Sequence, residues 1–600
     1  MNAVLTKLEG AERCEREVYV SRLFPPERAP RNVCMATSLL NVNIGLLGHV
    51  DSGKTSLARA LSDVFSTCAL DKHPQSAARG ITLDLGFSSF VAPLPDHLAG
   101  STAYGGLRFT LVDCPGHASL IRTVIGGAAI MDAAILVIDV TKGMQTQTAE
   151  CLVIAELTLP SDACLVLALN KADLLPAEGR DTALAKLQRR LAATLSTTRF
   201  AGAQQVVVSA RPGGGEGFAP GGPQAEGTQE LVQALLLCAR ERTGDTRREL
   251  PLLVAFDHCF AVRGSGTILT GTVLQGRIAV GQLVEVPAIA RAKVKSLQAF
   301  RVPVQAAGPG DRVGICFPGL DSSRLERGIL CEPGSVPIFT TAVARVQRVR
   351  FYKHALSSGV RLHVSIGHDT RMAELRFFAA PQGPLDTHPV QHLPPAVGVA
   401  VPASACALSA ALWDDAADFE HVDELGPGDQ QPLWALLRFD GPVTCPHGAL
   451  LLASRLDLEG TNTCRLALHG RLAAVIPEGG LSRLRVFKRK QREGTVERWA
   501  DSRTAIVRGL FKKETDMTPF EGMRVECCGG HAGVLQGAFG KSGKVKVVFS
   551  SPLFEPEQDA AASPAYAVYL SYKKFVYAHT KKLTQCPMGT RGWGGVGCAG

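Results

Sequence analysis

The feature that most constrains the fold is the segment GHVDSGKT at residues 48–55, which satisfies the pattern G-x-x-x-x-G-K-[ST] in full. A β-rich stretch, 41–47, precedes it, and apolar residues recur at helical spacing from Leu57 to Phe65. A loop between strand and helix turns backbone N–H groups toward a phosphate, and the helix dipole adds to the attraction. The sequence therefore predicts a nucleotide phosphate site built from Asp51, Ser52, Gly53, Lys54, Thr55 and Ser56.

Two further segments supply groups for a γ-phosphate and for Mg²⁺. Asp113 and Gly116 belong to DCPGH, which follows a predicted strand at 107–112, and Thr82 lies in RGIT at 79–82. We expect the Gly116 N–H to meet the γ-phosphate, while Thr55 and Asp113 hold the metal and Lys54 contacts the β- and γ-phosphates. Thr82 would join the metal shell only while a γ-phosphate is present, as in an order–disorder switch.

The base is predicted from the segment NKAD at residues 170–173 and the segment VVVSA at 206–210. A carboxylate at Asp173 would pair with the N1–H and the 2-amino group of guanine, a donor pair that adenine lacks. On its own, NKAD would indicate a polar turn at a strand end. Because it follows the phosphate loop along the chain, we interpret it as part of a GTP site. The residues assigned to the nucleotide are Asn170, Lys171, Asp173, Ser209 and Ala210.

His117 follows Asp-x-Pro-Gly, where many GTPases place a glutamine that orients the attacking water. We therefore assign His117 as the catalytic residue of GTP hydrolysis. Val50 and Ile81 are predicted to form an apolar gate that keeps this imidazole away from the phosphate until an external trigger arrives.

Alternation of strands and helices predicts a mainly parallel sheet for the first domain, and Gly-spaced short strands after Pro251 predict barrels. The expected architecture is an α/β phosphate-loop GTPase domain, two β-barrels and a small basic β-barrel-like domain. The predicted limits are 1–37 for a disordered extension, 38–246 for the GTP-binding domain, 247–338 and 339–478 for the barrels, 479–590 for the basic domain and 591–600 for a disordered tail.

Composition narrows the class further. Apolar residues make up 46% of the 600 positions and charged residues 20%, which excludes disordered, collagen-like and coiled-coil chains. No apolar run long enough for a membrane span and no secretory leader pattern is found, and the 17 cysteines lack regular spacing. We expect a cytoplasmic monomer with reduced thiols, although the basic run at 487–492 is also compatible with a nuclear localisation signal.

The positive charge is concentrated in one region. Residues 481–600 hold 20 basic and 10 acidic side chains, whereas the other 480 residues hold 44 and 45. Such an asymmetry favours a phosphate-bearing partner for the last domain. A solvated basic domain that only aids solubility is the alternative.

The motifs GHVDSGKT, RGITLD, DCPGH and NKAD, followed by GTILTGT at residues 266–272, resemble the translational GTPases. Within that group, DSGKTSLARALS, RGITLDLGF, Asp257-His258-Cys259-Phe260 and SRLDLEGTNTCRLALHG are most similar to the selenocysteine-specific elongation factors of the eukaryotic and archaeal type. Ser52 stands where general elongation factors Tu usually carry a histidine. The resemblance implies GTP and GDP with Mg²⁺, and delivery of selenocysteinyl-tRNA to the ribosome at recoded UGA codons.

The resemblance also implies an aminoacyl pocket between the GTPase domain and the first barrel, with Asp257, His258 and Arg312 at its matching positions. A selenol is a stronger acid than a thiol, so cations in the pocket would favour selenolate over neutral serine or cysteine. Three roles for Asp257 stay open: it orients His258, it orients Arg312, or it binds the aminoacyl amino group.

For the fourth domain the resemblance implies coupling to a selenocysteine insertion element in RNA through a separate binding protein, together with ribosome contact. Three rival functions remain at this point: a translational GTPase with another tRNA cargo, the GTPase subunit of a sulfate-activating adenylyltransferase, and an RNA-binding module in which GTP is structural. The basic fourth domain argues against the metabolic enzyme.

Overall fold

The structure is a computed structural model. It describes residues 39–62, 64–65, 85–98, 104–115, 130–160, 163–212, 224–240, 246–262, 266–300, 302–318, 325, 327–380, 413–414, 416–429, 431–457, 464–527, 530–540, 543–553, 566–578 and 583–585. The predicted disordered ends, 1–37 and 591–600, lie outside these ranges.

The first domain contains one seven-stranded sheet of order β2-β3-β4-β1-β5-β6-β7. Strands β1, β4, β5, β6 and β7 run parallel, as the alternating pattern predicts, whereas β2 pairs antiparallel with β3, and β3 with β4. The strands are β1 (Leu39–Leu47), β2 (Val64–Phe65), β3 (Gly86–Ala92), β4 (Gly106–Asp113), β5 (Ala133–Asp139), β6 (Leu165–Asn170) and β7 (Gln205–Val207).

The α-helices of the described residues all belong to this domain: α1 (Lys54–Leu61), α2 (Thr146–Thr158), α3 (Arg180–Leu195) and α4 (Thr228–Cys238). Short 3₁₀ turns occur at Asp96–Leu98, Ala172–Leu174, Thr246–Glu249, Gly480–Arg483 and Thr518–Phe520. None of the described helices is long and apolar enough to cross a membrane.

Helix α1 ends earlier than the apolar spacing predicts. The Ser62 hydroxyl donates to the carbonyl oxygen of Ala58 at 2.5 Å and accepts from the Ser88 hydroxyl on β3 at 2.7 Å, and the Ser62 backbone is already extended. This bonding ends the helix. The chain then forms the two-residue strand β2, so the helical assignment of Val64 and Phe65 was wrong.

The first barrel is an eight-stranded antiparallel sheet of order β12-β11-β17-β8-β9-β16-β13-β14, with a separate β10-β15 pair. Its strands are β8 (Leu253–Val262), β9 (Gly266–Gln275), β10 (Ile278–Ala279), β11 (Leu283–Val286), β12 (Ala290–Lys293), β13 (Ser296–Ala299), β14 (Val302–Val304), β15 (Ala306–Ala307), β16 (Arg312–Phe317) and β17 (Gly328–Cys331).

In the second barrel, six strands close into a ring of order β20-β25-β26-β18-β24-β21, because β21 also pairs with β20. The strands of this region are β18 (Ile338–Arg348), β19 (Leu356–Ser357), β20 (Val360–Ile366), β21 (Asp369–Ala379), β22 (Phe419–Val422), β23 (Glu424–Leu425), β24 (Leu433–Thr444), β25 (Leu450–Ser454) and β26 (Leu466–Val475).

The C-terminal region forms a second closed six-stranded ring, β27-β28-β31-β30-β29-β32, sealed by the pairing of β32 with β27. Its strands are β27 (Val486–Trp499), β28 (Thr504–Arg508), β29 (Arg524–Cys527), β30 (His531–Phe539), β31 (Lys544–Phe549), β32 (Ala567–Phe575) and β33 (Leu583–Gln585). Phe511 and Tyr572 are buried in its core.

Strand β22 joins the two rings, because it pairs antiparallel with β21 on one side and parallel with β27 on the other. Both rings therefore belong to one 14-stranded sheet. One apolar cluster also runs from the first domain through the first barrel into the second, and Phe87, Ile329 and Leu362 are members of it. The predicted domain limits stay predictions.

Candidate nucleotide and aminoacyl sites

The phosphate loop follows β1 and needs glycine at two positions. Gly53 has φ of 90°, and a Cβ there would lie 2.2 Å from the Asn170 Nδ2. Gly48 has φ of 144°, and its Cβ would lie 2.4 Å from the carbonyl oxygen of Val137. Both positions combine a positive φ with close contact, so any side chain would displace the loop.

Lys54 is held across this loop. Its side chain is 6% exposed, and its Nζ donates to the carbonyl oxygens of Gly48 at 3.1 Å and His49 at 2.6 Å. Burial lowers the pKa of Lys54, and the nearby Asp113 carboxylate acts in the opposite direction. The arrangement keeps the ammonium group over the loop where the sequence places the phosphates.

Thr55 and Asp113 meet as predicted for a metal site. The Thr55 hydroxyl donates to Asp113 Oδ2 at 2.6 Å, and Asp113 is fully buried at the end of β4. Two hard oxygen donors side by side at the start of a helix fit Mg²⁺, which takes one or two protein oxygens and completes its shell with phosphate and water. These two residues would hold the ion, and the ion would neutralise charge on the phosphates.

The guanine segments converge on the same loop. Asn170 at the end of β6 donates through Nδ2 to the Ser52 carbonyl at 2.9 Å, and its Oδ1 accepts from the Ala210 N–H at 3.0 Å. The Asp173 N–H donates to the Ser209 hydroxyl at 3.1 Å. The structure therefore brings NKAD, the 206–210 segment and the phosphate loop together, as expected.

Asp139 is a residue of this site that sequence reasoning missed. Its carboxylate lies 2.9 Å from the Nζ of Lys171, whose backbone is left-handed with φ of 66°. Burial raises the pKa of Asp139, but hydrogen bonds from Thr141 and Lys171 outweigh burial and leave the pKa lowered. A carboxylate ending the apolar strand β5 was the available signal, because a buried charge needs a partner.

The remaining predicted nucleotide residues divide into two sets. Within the loop, Asp51 is exposed with φ of 59°, and Val50 and Ser56 are half-buried. Four residues lie outside the described part of the chain, so their roles stay predictions: Ile81, Thr82, Gly116 and His117.

The three predicted pocket residues are in direct contact. Asp257 and His258 lie on β8, and Arg312 begins β16. The Arg312 Nη1 and Nη2 donate to the two carboxylate oxygens of Asp257 at 2.7 and 2.8 Å. The His258 Nδ1 lies 2.7 Å from Asp257 Oδ1, and because an ionised carboxylate only accepts, this nitrogen carries the proton.

Asp257 thus contacts both of its neighbours, as two of the three roles left open by the sequence require, and binding of the aminoacyl amino group stays a prediction. Burial raises the pKa of Asp257, but the charge and hydrogen bonds of Arg312 and the bond with His258 outweigh it, so the pKa is lowered. The carboxylate contacts both the Arg312 guanidinium and the His258 imidazole. It also offsets the charge of Arg312, so Arg312 is not the uncompensated cation that the residue types alone suggest.

Comparison with known proteins places the chain. Residues 40–260 match the elongation factor Tu GTP binding domain, residues 343–470 the third domain of eukaryotic selenocysteine-specific elongation factors, and residues 482–581 the eEFSec C-terminal RIFT domain. The selenocysteine-specific elongation factor of Mus musculus is 41% identical over 92% of this chain and 100% of its own length. That of Methanocaldococcus jannaschii is 30% identical over 86% of this chain and 96% of its own.

Solved structures show the same architecture. Elongation factor SelB from Methanococcus maripaludis, in complex with the GTP analogue GppNHp, is 24% identical with a TM-score of 0.62 and covers 90% of this chain and 99% of its own. A bacterial selenocysteine-specific elongation factor is 21% identical with a TM-score of 0.50, and the match covers 72% of this chain and 58% of the bacterial one. At these identities the likeness concerns the fold.

The phosphate loop, the guanine segments and the barrels behind them define a P-loop GTPase of the translational type, an enzyme that hydrolyses GTP. This confirms the predicted fold class. The chain belongs to the family of selenocysteine-specific elongation factors, and the resemblance based on its motifs is confirmed.

Proposed function

We propose that the GTP-bound chain carries selenocysteinyl-tRNA to the ribosome at recoded UGA codons and hydrolyses its GTP there. The observation that carries the proposal is the Arg312–Asp257–His258 triad between the GTPase domain and the first barrel. The names of the relatives support the cargo. Action at the ribosome would place the protein, as a monomer, in the cytoplasm.

The chemistry of the triad favours an ionised side chain. With Nδ1 bound to Asp257, His258 can present only Nε2 to a ligand, and a proton there makes the ring a cationic donor. A selenolate would gain a charge-assisted contact, whereas the hydroxyl of serine would not. One such contact is worth roughly 1.5–3 kcal/mol, or about a 10- to 150-fold difference in affinity.

The test measures the affinity of the GTP-analogue-bound protein for seryl-, cysteinyl- and selenocysteinyl-tRNA. We expect the selenocysteinyl form to bind more tightly by the factor above, and Arg312→Ala to narrow that gap. Arg291→Ala is the matched control, because Arg291 forms an exposed ion pair with Glu285 in the same barrel. Equal affinity for the seryl and selenocysteinyl forms would refute the cargo assignment.

For hydrolysis we propose that His117 orients the attacking water and that Val50 and Ile81 gate it, a role supported by the DCPGH motif. His117→Ala should retain GTP affinity but lose hydrolysis stimulated by ribosomes. Normal stimulated turnover by this variant would contradict the role.

We further propose that the last domain is coupled to the selenocysteine insertion element in RNA through the protein that binds this element. We also propose that the domain contacts the ribosome. Five of its described lysines and arginines are paired with carboxylates: Arg485, Lys488, Arg489, Lys544 and Lys573. The exposed charges available to phosphates include Lys490, Lys512, Lys513, Lys546 and Lys574.

The salt dependence of RNA affinity tests this role. Each phosphate contact contributes about 0.7–0.9 to the slope of log affinity against log salt concentration. Lys512→Glu combined with Lys513→Glu should therefore reduce the slope, and an unchanged slope would indicate a domain that binds protein only.

A further inference from the structure

One aromatic ring of the GTPase domain lies directly against the pocket arginine. The Cζ of Arg312 is 3.1 Å from the centroid of the Phe87 ring. Phe87 is fully buried, and Arg312 is 5% exposed. A cation over an aromatic face is attracted by the ring quadrupole, and the attraction is strongest where water is excluded.

The ring and the carboxylate hold different sides of the same guanidinium. Asp257 accepts two parallel N–H bonds along one edge of the guanidinium, and these bonds fix the guanidinium within its own plane. Phe87 covers one face of that plane. Together they determine both the position and the tilt of the cation, which the Asp257 pair alone would leave free to hinge.

The two restraints come from different domains. Asp257 on β8 and Arg312 on β16 belong to the first barrel and flank β9, whereas Phe87 is the second residue of β3 in the GTPase sheet. Its neighbour Gly86 pairs with Asp113, the predicted metal ligand. The ring is therefore in the strand pair that carries the nucleotide site.

The turn that leads into Arg312 is also held by the GTPase domain. The side chains of Asn41 and Asn43 on β1 both donate to the carbonyl oxygen of Gly310, the latter at 3.0 Å. The orientation of the arginine therefore depends on contacts across the domain seam at two points.

We propose that Phe87 is a positioning residue that sets the tilt of the Arg312 guanidinium and thereby determines selectivity for an ionised aminoacyl side chain. The inference deepens the proposed function and rests on it. The proposal predicts that altering the Phe87 ring changes the discrimination between selenocysteinyl- and seryl-tRNA and leaves the affinity for the nucleotide unchanged.

The experiment measures the ratio of seryl- to selenocysteinyl-tRNA dissociation constants for the full chain bound to a GTP analogue. Phe87→Leu keeps an apolar side chain but removes the ring, and the ratio should fall roughly 5- to 20-fold while the affinity for the analogue stays within about twofold. Phe90→Leu is the control, because Phe90 lies on the same strand and is equally buried. Its ring packs on Phe109, with the ring centroids 5.1 Å apart.

A second measurement avoids any change of shape. Phenylalanine carrying one, two or three fluorine atoms, incorporated at position 87, weakens the ring quadrupole stepwise while keeping its volume. The ratio should fall with each fluorine, and the Arg312→Lys background should show a smaller dependence, because Lys lacks the flat face.

The outcomes separate the two levels of the proposal. A wild-type ratio near one refutes the cargo assignment itself. A wild-type ratio well above one that neither Phe87→Leu nor the fluorinated series changes overturns the positioning role, and so does an equal loss of affinity for both tRNAs, which is what a purely structural ring would give.

Discussion

The pocket triad and the junction of the two closed rings use the same chemistry at different depths. In the pocket, Asp257 lies between Arg312 and His258 within the seam of two domains. At the junction, three carboxylates on or next to β22 bind basic side chains around β27 and β32. We name these pairs the junction ladder: Asp418 with Arg485 and Lys573, Glu420 with Arg489, and Asp423 with Lys488.

Burial decides what each set can do. In the pocket every charge depends on its partner, since an uncompensated buried ion is costly. In the ladder, burial differs between pairs: Lys573 and Asp418 are 12% and 18% exposed, whereas Lys488 and Asp423 are 37% and 79% exposed. Water and salt therefore compete with the exposed pairs of the ladder. The first arrangement can fix a geometry, and the second can adjust how firmly two domains dock.

The largest effect is expected for Asp257→Asn, which leaves the Arg312 charge buried without its counter-ion. Breaking such a pair costs about 3–5 kcal/mol, which hydrogen exchange along β8 and β16 would detect as local opening. Arg312→Met added to Asp257→Asn should recover part of this loss. If the double variant is as unstable as the summed single ones, the two groups are not energetically paired.

The second-largest effect is expected at the ion pair between the GTPase domain and the second barrel. Arg465 donates from Nε and Nη2 to the two oxygens of Glu150 on α2 at 3.0 and 2.6 Å, and both side chains are nearly buried. Glu150→Gln should destabilise the docked state by about 2–3 kcal/mol. Denaturant unfolding measures this loss.

Glu156→Gln is the matched control, because Glu156 on the same helix pairs with the more exposed Arg350. It should cost less than about 1 kcal/mol. Equal losses for the two variants would mean that burial does not separate the pairs.

A buried histidine gives the pH-dependent case. Burial, assisted by the charge of Arg471, lowers the pKa of His469 to about 4. The unfolded chain then binds more protons between pH 6.5 and 4, so this residue's contribution to stability is complete above pH 6.5 and is lost as pH falls toward 4, by about 3 kcal/mol. His469→Gln should flatten the acid side of the stability curve; an unaltered slope would contradict a neutral buried imidazole.

The smallest effect is expected for the two exposed pairs of the junction ladder, Lys488 with Asp423 and Arg489 with Glu420. Lys488→Ala and Arg489→Ala should each cost less than about 1 kcal/mol at low salt and almost nothing at high salt. Thermal denaturation at two ionic strengths measures both. A loss that persists or grows at high salt would show that the junction is held as firmly as the pocket.

The sequence revealed the nucleotide site because its chemistry is local. Gly53, Lys54 and Thr55 are consecutive, and their backbone course follows from a strand, a loop and a helix. Asp113 and Asn170 end β4 and β6, parallel strands of one sheet whose carboxyl ends lie at the same edge. Such a site can be predicted before the tertiary structure is known.

The pocket could not be predicted in that way. Asp257 and Arg312 are 55 positions apart and meet only through barrel register, so the family resemblance alone pointed to them. Phe87 is the last residue of the segment RGITLDLGF, but nothing in that segment indicates a contact with Arg312. Asn41 and Asn43 gave a signal in retrospect, because two amides in the buried strand LLNVNIGLL require more partners than the strand itself supplies.

Strand β22 has a mechanical consequence. Its backbone is hydrogen-bonded to both rings, so a load that pulls the last ring away from the rest passes through a seam of paired backbone registered at Phe419–Val486 and Glu420–Phe487. Such a seam should resist gradual stretching and then give way in one step, with the last ring still closed. In a pulling experiment, detachment of that ring should therefore appear as a separate rupture that precedes its unravelling.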